Sequence, residues 1–434
     1  MKDTPNRPIW FKGTGATDWV TRFTVGDDPF WDTLLIPYDL AASRAHARGL
    51  VTAGVLTEQE FSALSAEITA LEKRTDLVVQ VEDEDCHTLI ERLLIEKVGD
   101  AGRKIHTGRS RNDQVVAALR LWLMDALDGT ARATARVAGH LLDHADAGAD
   151  QFMPGYTHLQ RAMPSSVAVW ALGYAENLVD DVRALREATG HVSQGPLGSA
   201  AGYGVPFLDL PREATSADLG FARLQEQVAA VQLSRGKLDL HAVHALVQAA
   251  MTINRLASDL VLFATAEFGF ITLPVEYTTG SSIMPQKRNP DVLELARATL
   301  HRITAEMQVL IGVPSNLPSG YHRDLQLTKE AVMRAFLRGK DLLDAMDAML
   351  PEIAFNPDKL EAARTPDLYA TASALERVSK GVPFRTAYVE SASDKADWER
   401  QRQQAAAEQY RHAGAPGQTR TTVLRAELKE LTSF

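Results

Sequence analysis

The middle of this chain carries helical periodicity sustained well beyond the length of an ordinary helix. Val115, Leu119, Trp122 and Ala126 recur at steps of three or four, and Ala133, Val137 and Leu141 continue the stripe in phase. Val167, Trp170, Tyr174, Leu178, Val182 and Leu185 do the same. Three further runs follow: "KLDLHAVHALVQAAMTINRLASDLVLFATAEFGF" (237–270), "DVLELARATLHRITAEMQVLIG" (291–312) and "LQLTKEAVMRAFLRGKDLLDAMDAML" (325–350). All are rich in Ala and Leu and poor in β-branched runs. Several are apolar on more than one face, which predicts burial against neighbouring helices or subunits. The expected fold class is all-α, with a long central helical bundle.

The flanks divide the chain into three expected helical domains. Residues 1–105 hold shorter helices in "IPYDLAASRAHARGLVTAGV" and "TEQEFSALSAEITALEKR". Residues 106–355 hold the bundle. Pro351 and "AFNPDK" mark the boundary to a small domain at 356–434.

The gross numbers exclude several functions. A formal charge of −10, from 46 Lys and Arg against 56 Asp and Glu, argues against nucleic acid or an anionic membrane as partner. No 18-residue apolar run predicts a membrane span. The N-terminus lacks an apolar signal core, which predicts a cytoplasmic protein. Cys86 is the single cysteine, so an internal disulfide and a multi-cysteine metal site are excluded.

The unusual residues lie where long helices begin: "HTGRSRNDQV" (106–115), "MPGYTHLQRAMPSS" (153–166), "TTGSSIMPQKRNPDVLE" (278–294) and "LPSGYHRDLQLTKE" (317–330). Helix N-termini offer free N–H groups and partial positive charge, which suit anions. Arg109, Arg111, Lys287, Arg288, Arg323 and Lys329 add cations, so a substrate with several carboxylates is expected. In 278–294, Gly, Ser and Pro punctuate a plain surface turn on one reading. On the other, Lys287 binds a carboxylate, Asn289 fixes its geometry, and a serine alkoxide held by backbone N–H groups removes a carbon-bound proton. That step passes through a dianionic aci-carboxylate, which needs preorganised positive charge. His158, in a structured turn, suits either capping or proton transfer. The Ser-Arg-Asn run at 110–112 suits either a helix cap or three donors to one carboxylate. No GxGxxG, P-loop or Gly-x-Ser-x-Gly elbow is present. His140/His144 and His241/His244 have chelating spacing but no evident acidic third ligand, so no metal is expected.

Together these segments resemble the fumarase/aspartase superfamily and, within it, the argininosuccinate lyase family. "GSSIMPQKRNP" is similar to the superfamily loop. "HTGRSRNDQV", "MPGYTHLQRA", "YHRDLQLTKE" and "YATASALERVSKGVPFRTAY" (369–388) are similar to that lyase's other segments. The resemblance spans about residues 35–390, with four motifs in the family's order. It implies a homotetramer with a twenty-helix core, active sites shared between three subunits, and cofactor-free anti β-elimination of fumarate from an N-substituted aspartate. By position it implies Ser281 as base, His158 handling the other proton with Glu294 orienting it, and Lys287 and Asn289 holding the carboxylate that becomes the aci-anion. Ser110, Arg111, Asn112 and Thr157 would grip the succinyl part. Tyr321, Gln326 and Lys329 would contact the amine-bearing part.

The chain departs from the family pattern in three places. Asp28 falls where an Asn-x-Ser is usual, and would repel an α-carboxylate and favour an amine. In "QLSRGKLDLH" only Arg235 matches a Ser-Asp-Arg-Asp-like stretch. "YHRD" replaces Tyr-Asn-Lys-Asp and keeps a cation as Arg323. The resemblance therefore implies argininosuccinate lyase chemistry first. A relative that splits or forms another N-succinyl amine compound comes second. A non-catalytic structural relative, as among lens crystallins, comes third.

Overall fold

The computed structural model describes residues 18–433. Among them six helices have 22 residues or more: Asp28–Thr52, Arg111–Ala147, Val167–Val192, Lys237–Phe263, Asp291–Gly312 and Leu327–Met349. The chain is predominantly helical, as the periodicity requires. The expected stripes are buried: Leu119, Trp122, Val137, Leu141, Leu178, Val182 and Leu185 all lie in the core.

Three elements differ from the sequence expectation, each for a local reason. The helix Asp28–Thr52 starts well before "IPYDLAASRAHARGL" and carries Pro37 inside it. Pro29 near its first position suits a helix start, since its missing N–H costs nothing there. The run 237–270 stops being helical at Phe263, and Ile271–Thr272 pairs as a short strand with Ala354–Phe355. Phe152–Thr157 and Gln160–Ser166, read from the sequence as a structured turn, form an antiparallel hairpin.

The expectation of no membrane-length apolar segment also needs correction. Lys237–Phe263 is long and apolar enough to span a membrane by length and composition, and 50% of its apolar 18-residue window is buried within the chain. Its apolarity has a packing cause: Ile253, Leu256, Ala257 and Leu260 are buried, while Asp259 accepts hydrogen bonds from Trp170 Nε1 (3.0 Å) and Tyr174 OH (2.7 Å).

The chain groups into two compact units. The first comprises residues up to Asp128, Arg186–Ala245 and Ile303–Leu337. Its interior is tied by buried charge. Arg120 donates to Gln194 O (2.7 Å), Gln225 Oε1 (2.8 Å) and Ser234 Oγ (3.0 Å). Asp113 accepts from the backbone N–H groups of Ser110 (2.9 Å), Gly198 (3.0 Å) and Ala200 (2.9 Å). This fixes the start of Arg111–Ala147 against the 196–204 loop. Burial pushes the Asp113 carboxyl up to about 6 against those three donors.

The second unit comprises Gly129–Leu185, Leu246–Arg302 and the chain from Arg338. Phe152, Leu368 and Tyr369 form a small core cluster with Trp398 against it. His140 Nε2 lies 2.7 Å from Asp347, and His144 Nε2 lies 2.7 Å from Leu350 O. The two nitrogens at chelating spacing thus have separate protein partners.

Asp181, on Val167–Val192, accepts the Thr252 hydroxyl at 2.7 Å. Burial raises its carboxyl to about 6, opposed by that hydrogen bond. A folded-state value above the unfolded one favours folding below about pH 4, and that contribution is lost as pH rises through about 6. Asp181→Asn keeps a partner for Thr252 and removes the charge. The variant is expected to be more stable than the parent by roughly 2 kcal/mol near neutral pH, with the difference vanishing toward about pH 4. Thermal melts across that range measure it.

Candidate functional site

In the first unit a cavity of about 240 Å³ opens where several helix starts and loops converge. Asp28 and Asp32 come from the first turns of Asp28–Thr52. Glu84, Asp85 and His87 come from the start of Cys86–Val98. Arg111, Asn112 and Val115 open Arg111–Ala147. Arg235, Tyr321, Arg323, Gln326 and Lys329 complete the wall. Carboxylates and cations therefore alternate around one space.

Most of these charges are already paired. Lys329 is 4% exposed, with its ammonium 2.8 Å from Asp28 and 2.7 Å from Asp32. Burial alone would pull the amine down, but the two carboxylates hold it well above the usual lysine range. Asp28 is raised by burial, with Lys329 opposing. Arg111 lies 3.3 Å from both Asp85 and Glu91 and donates to Gln114 (2.9 Å) and Thr88 (3.2 Å). Arg323 bridges Glu84 (3.4 Å) and donates to Thr24 O (2.9 Å), which Gln326 Nε2 also reaches at 3.0 Å.

Arg235 is different. Its guanidinium lies 5.1 Å from the Tyr321 ring centroid, a cation–π contact, and its buried Nη1 has no partner among the described residues. A buried donor without a partner is costly unless a ligand satisfies it. Arg235 is thus the cation of this cavity best able to accept an incoming carboxylate.

Of the sequence-predicted residues, Asp28, Arg111, Asn112, Arg235, Tyr321, Gln326 and Lys329 line this one cavity. Ser110 caps the same helix start, with Oγ accepting from Asn112 N (3.3 Å). Asp32, Glu84, Asp85 and His87 were missed. Asp28 and Asp32 are four residues apart on one helix face, and "EDEDC" runs straight into a helix, so both signals were present in the sequence. Glu84 has φ +66, an uncommon conformation for a non-glycine residue, which periodicity does not reveal.

Asp39, Cys86 and His87 bring ligand-type atoms within 4.8 Å of one another. The His87 Nδ1 is already 2.9 Å from Asp39. Burial, with Asp32, Asp39 and Asp85, pushes the thiol well above its ordinary value and so disfavours the thiolate a metal needs. The histidine is thus already committed to a carboxylate, beside a thiol whose neutral form is favoured.

The second unit holds the other predicted residues. The 278–290 loop is pinched at its base by Thr279 and Asn289, which exchange backbone hydrogen bonds of 3.1 and 2.8 Å. Asn289 Nδ2 donates to Gly280 O at 3.3 Å, and Thr279 Oγ1 donates to Asp291. Ser281 Oγ accepts from the backbone N–H groups of Met284 (3.1 Å) and Ile283 (3.4 Å). Two donors aimed at one hydroxyl oxygen are what an alkoxide would need. Lys287 is exposed, as is Glu294 in the first turn of Asp291–Gly312.

His158 and Leu159 form the two-residue tip of the 152–166 hairpin, with φ +53 and +58. Both angles positive is the primed turn that tight hairpins favour, normally built from Asn or Gly. Here it carries two bulky side chains, both exposed, Leu159 at 76%. Thr157 is beside them, paired with Gln160. Among the described residues no hydrogen bond within the chain joins His158 to Glu294.

Comparison with known proteins gives consistent matches. The profile of a lyase family matches residues 27–305. Argininosuccinate lyase of Xanthomonas campestris pv. campestris (strain B100) is 46% identical over 98% of this chain and 99% of that protein. Argininosuccinate lyase of Stenotrophomonas maltophilia (strain R551-3) is 47% identical over 89% of this chain and 90% of that protein. Among solved structures, EDDS lyase in complex with formate superposes with a TM-score of 0.75 at 22% identity, over 97% of this chain and 90% of that one. That last likeness concerns the fold alone.

Lys329→Met removes the ammonium between two carboxylates, one of them, Asp32, fully buried. Stability is expected to fall by about 3 kcal/mol or more, because Asp28 and Asp32 lose their shared partner. Urea denaturation reads the loss, and replacing both acids by Asn in the same background should recover part of it.

Proposed function

Since the chain belongs to the argininosuccinate lyase family, we propose that it cleaves argininosuccinate to arginine and fumarate by anti β-elimination, without a cofactor. It is a lyase, and its substrate is a dicarboxylate. Ser281, as alkoxide, takes the proton from the succinyl carbon next to the carboxylate. The C–H electrons form the C=C bond, the C–N bond breaks, and the leaving nitrogen takes its electron pair together with a proton from His158. Lys287 and Asn289 hold the carboxylate that becomes the aci-anion, and Glu294 orients His158. Ser110, Arg111, Asn112 and Thr157 grip the succinyl part. Tyr321, Gln326, Lys329, Arg235 and Asp28 meet the amino-acid part.

The observation that carries this reading is the pair of backbone donors on Ser281 Oγ, in a loop closed at its base by Thr279 and Asn289. Positive charge and fixed dipoles at the developing anion are the largest usual source of catalysis in such a step. A homotetramer in the cytoplasm is part of the proposal. The five long helices from Arg111–Ala147 to Leu327–Met349, times four copies, supply the twenty of the family's core. The exposed tip at His158, without a bond to Glu294 in its own chain, fits a site completed by other subunits.

A second reading has its own observation. Asp28 occupies Lys329, which the family resemblance assigns to the amino-acid end. A pocket altered there suits a different amine, joined to or split from the succinyl group.

Incubation with argininosuccinate, following fumarate by ultraviolet absorbance, separates the two. Turnover supports the first reading. Silence there, with activity on fumarate plus a panel of amines, supports the second. Ser281→Ala is expected to lower kcat by about 100-fold or more, and a variant with full activity would overturn the mechanism. Arg235→Leu should raise KM about tenfold or more while kcat changes less, since it removes a charged contact to a distal carboxylate.

A further inference from the structure

His87 lies in the cavity wall and has no place in the roles assigned above. It is 2% exposed. Its Nδ1 is 2.9 Å from Asp39 Oδ1, and both side chains are 1% exposed. Its Nε2 is buried and has no hydrogen-bond partner among the described residues. A buried imidazole with one nitrogen on a carboxylate has a fixed ring orientation and a fixed tautomer or charge. The other nitrogen is an acceptor on a neutral ring and a donor on a protonated one, and leaving it unsatisfied is costly either way.

The neighbours favour the protonated ring, whose Nε2–H is a donor. Asp39 and Asp32 face the cluster from Asp28–Thr52, and Asp85 and Cys86 flank the ring in sequence. Arg111, Arg109 and His106 approach from the 106–111 segment, and Lys329 lies beyond Asp32. Burial alone would pull the imidazole down, but Asp39 and then Asp85 outweigh it and hold it above the usual histidine range. His106, with Arg111 and Arg109 near and less acidic compensation, is pulled the other way to about 4, burial being the main cause. Of these two histidines, the one in the cavity wall is the one whose charged form is favoured.

We propose that His87, held by Asp39, is a substrate-contacting residue whose Nε2–H donates to a carboxylate of the dicarboxylate end. It transfers no proton. It adds a fixed positive donor beside Arg111 and Asn112, where Arg111 is itself largely neutralised by Asp85 and Glu91. Asp39 is a positioning residue that acts through the ring. This rests on the dicarboxylate reading above and adds to it the group that compensates for a committed arginine.

The test uses fumarate binding to the full-length protein by titration calorimetry, which does not depend on which amine the enzyme handles. His87→Gln alone strands a buried carboxylate and weakens folding, so the decisive variant is Asp39→Asn with His87→Gln. That pair removes both charges together, so neither is left buried without its partner. The folded double variant is expected to bind fumarate about tenfold or more weakly than the parent. In the parent, affinity should fall as pH rises through the His87 titration. Asp39→Asn should move that fall to lower pH, and the double variant should lack it. A folded double variant with parental affinity and an unchanged pH profile overturns the role of His87 alone. A parent protein that binds no fumarate overturns the dicarboxylate reading as well.

Discussion

The ammonium of Lys329, 2.8 Å from Asp28 and 2.7 Å from Asp32, joins parts of the chain some 300 residues apart in sequence. None of the three charges is well solvated, and each is tolerable only because the others are present. Asp32 also accepts from Cys86 N at 3.4 Å, which links the pair to the start of Cys86–Val98. The helix starting at Asp28, the helix starting at Cys86 and the helix starting at Leu327 are thereby held around one cavity. Burying charge is expensive, so such a junction has few alternative arrangements. That gives the wall of the cavity its definition.

Within that frame the committed and uncommitted cations have different uses. Arg111, Arg323 and Lys329 each meet carboxylates of the chain, whereas Arg235 rests on Tyr321 with a nitrogen unpaired. A ligand anion gains most from a donor that does not first have to leave another partner. The loop at 278–290 follows the same logic on a smaller scale. Its base is closed by backbone bonds between Thr279 and Asn289, so the donors on Ser281 are fixed before substrate arrives.

Much of the architecture was legible in the residues. The periodicity at 115–141 and 167–185 identified buried helix faces, and Asp291–Gly312 began and ended where the pattern did. The motif segments were correctly read as helix starts, because Gly, Pro, Ser and Asn mark the places where helices cannot continue. The hairpin tip at His158 was harder. Its φ values are those usually supplied by Asn or Gly, and neither residue is there to announce the turn. The apolar content of Lys237–Phe263 was also misjudged, because core burial and membrane burial select the same residues.

The sequence by itself determined the helices, the positions of the motifs and, through their resemblance, the family. These follow from local propensity, periodicity and residue order, all of which a linear string contains. Only the tertiary structure decided which charges are free. Asp28 in sequence was an acid set to meet an amine, but in the fold it is one arm of a buried salt bridge with Lys329. His87 was one histidine among 12 in sequence, but Asp39, forty-eight positions earlier, lies against it in the fold and favours its charged form at the cavity wall. The physical reason is that desolvation and pairing depend on neighbours brought together by folding, and these set the charge each group presents to a ligand.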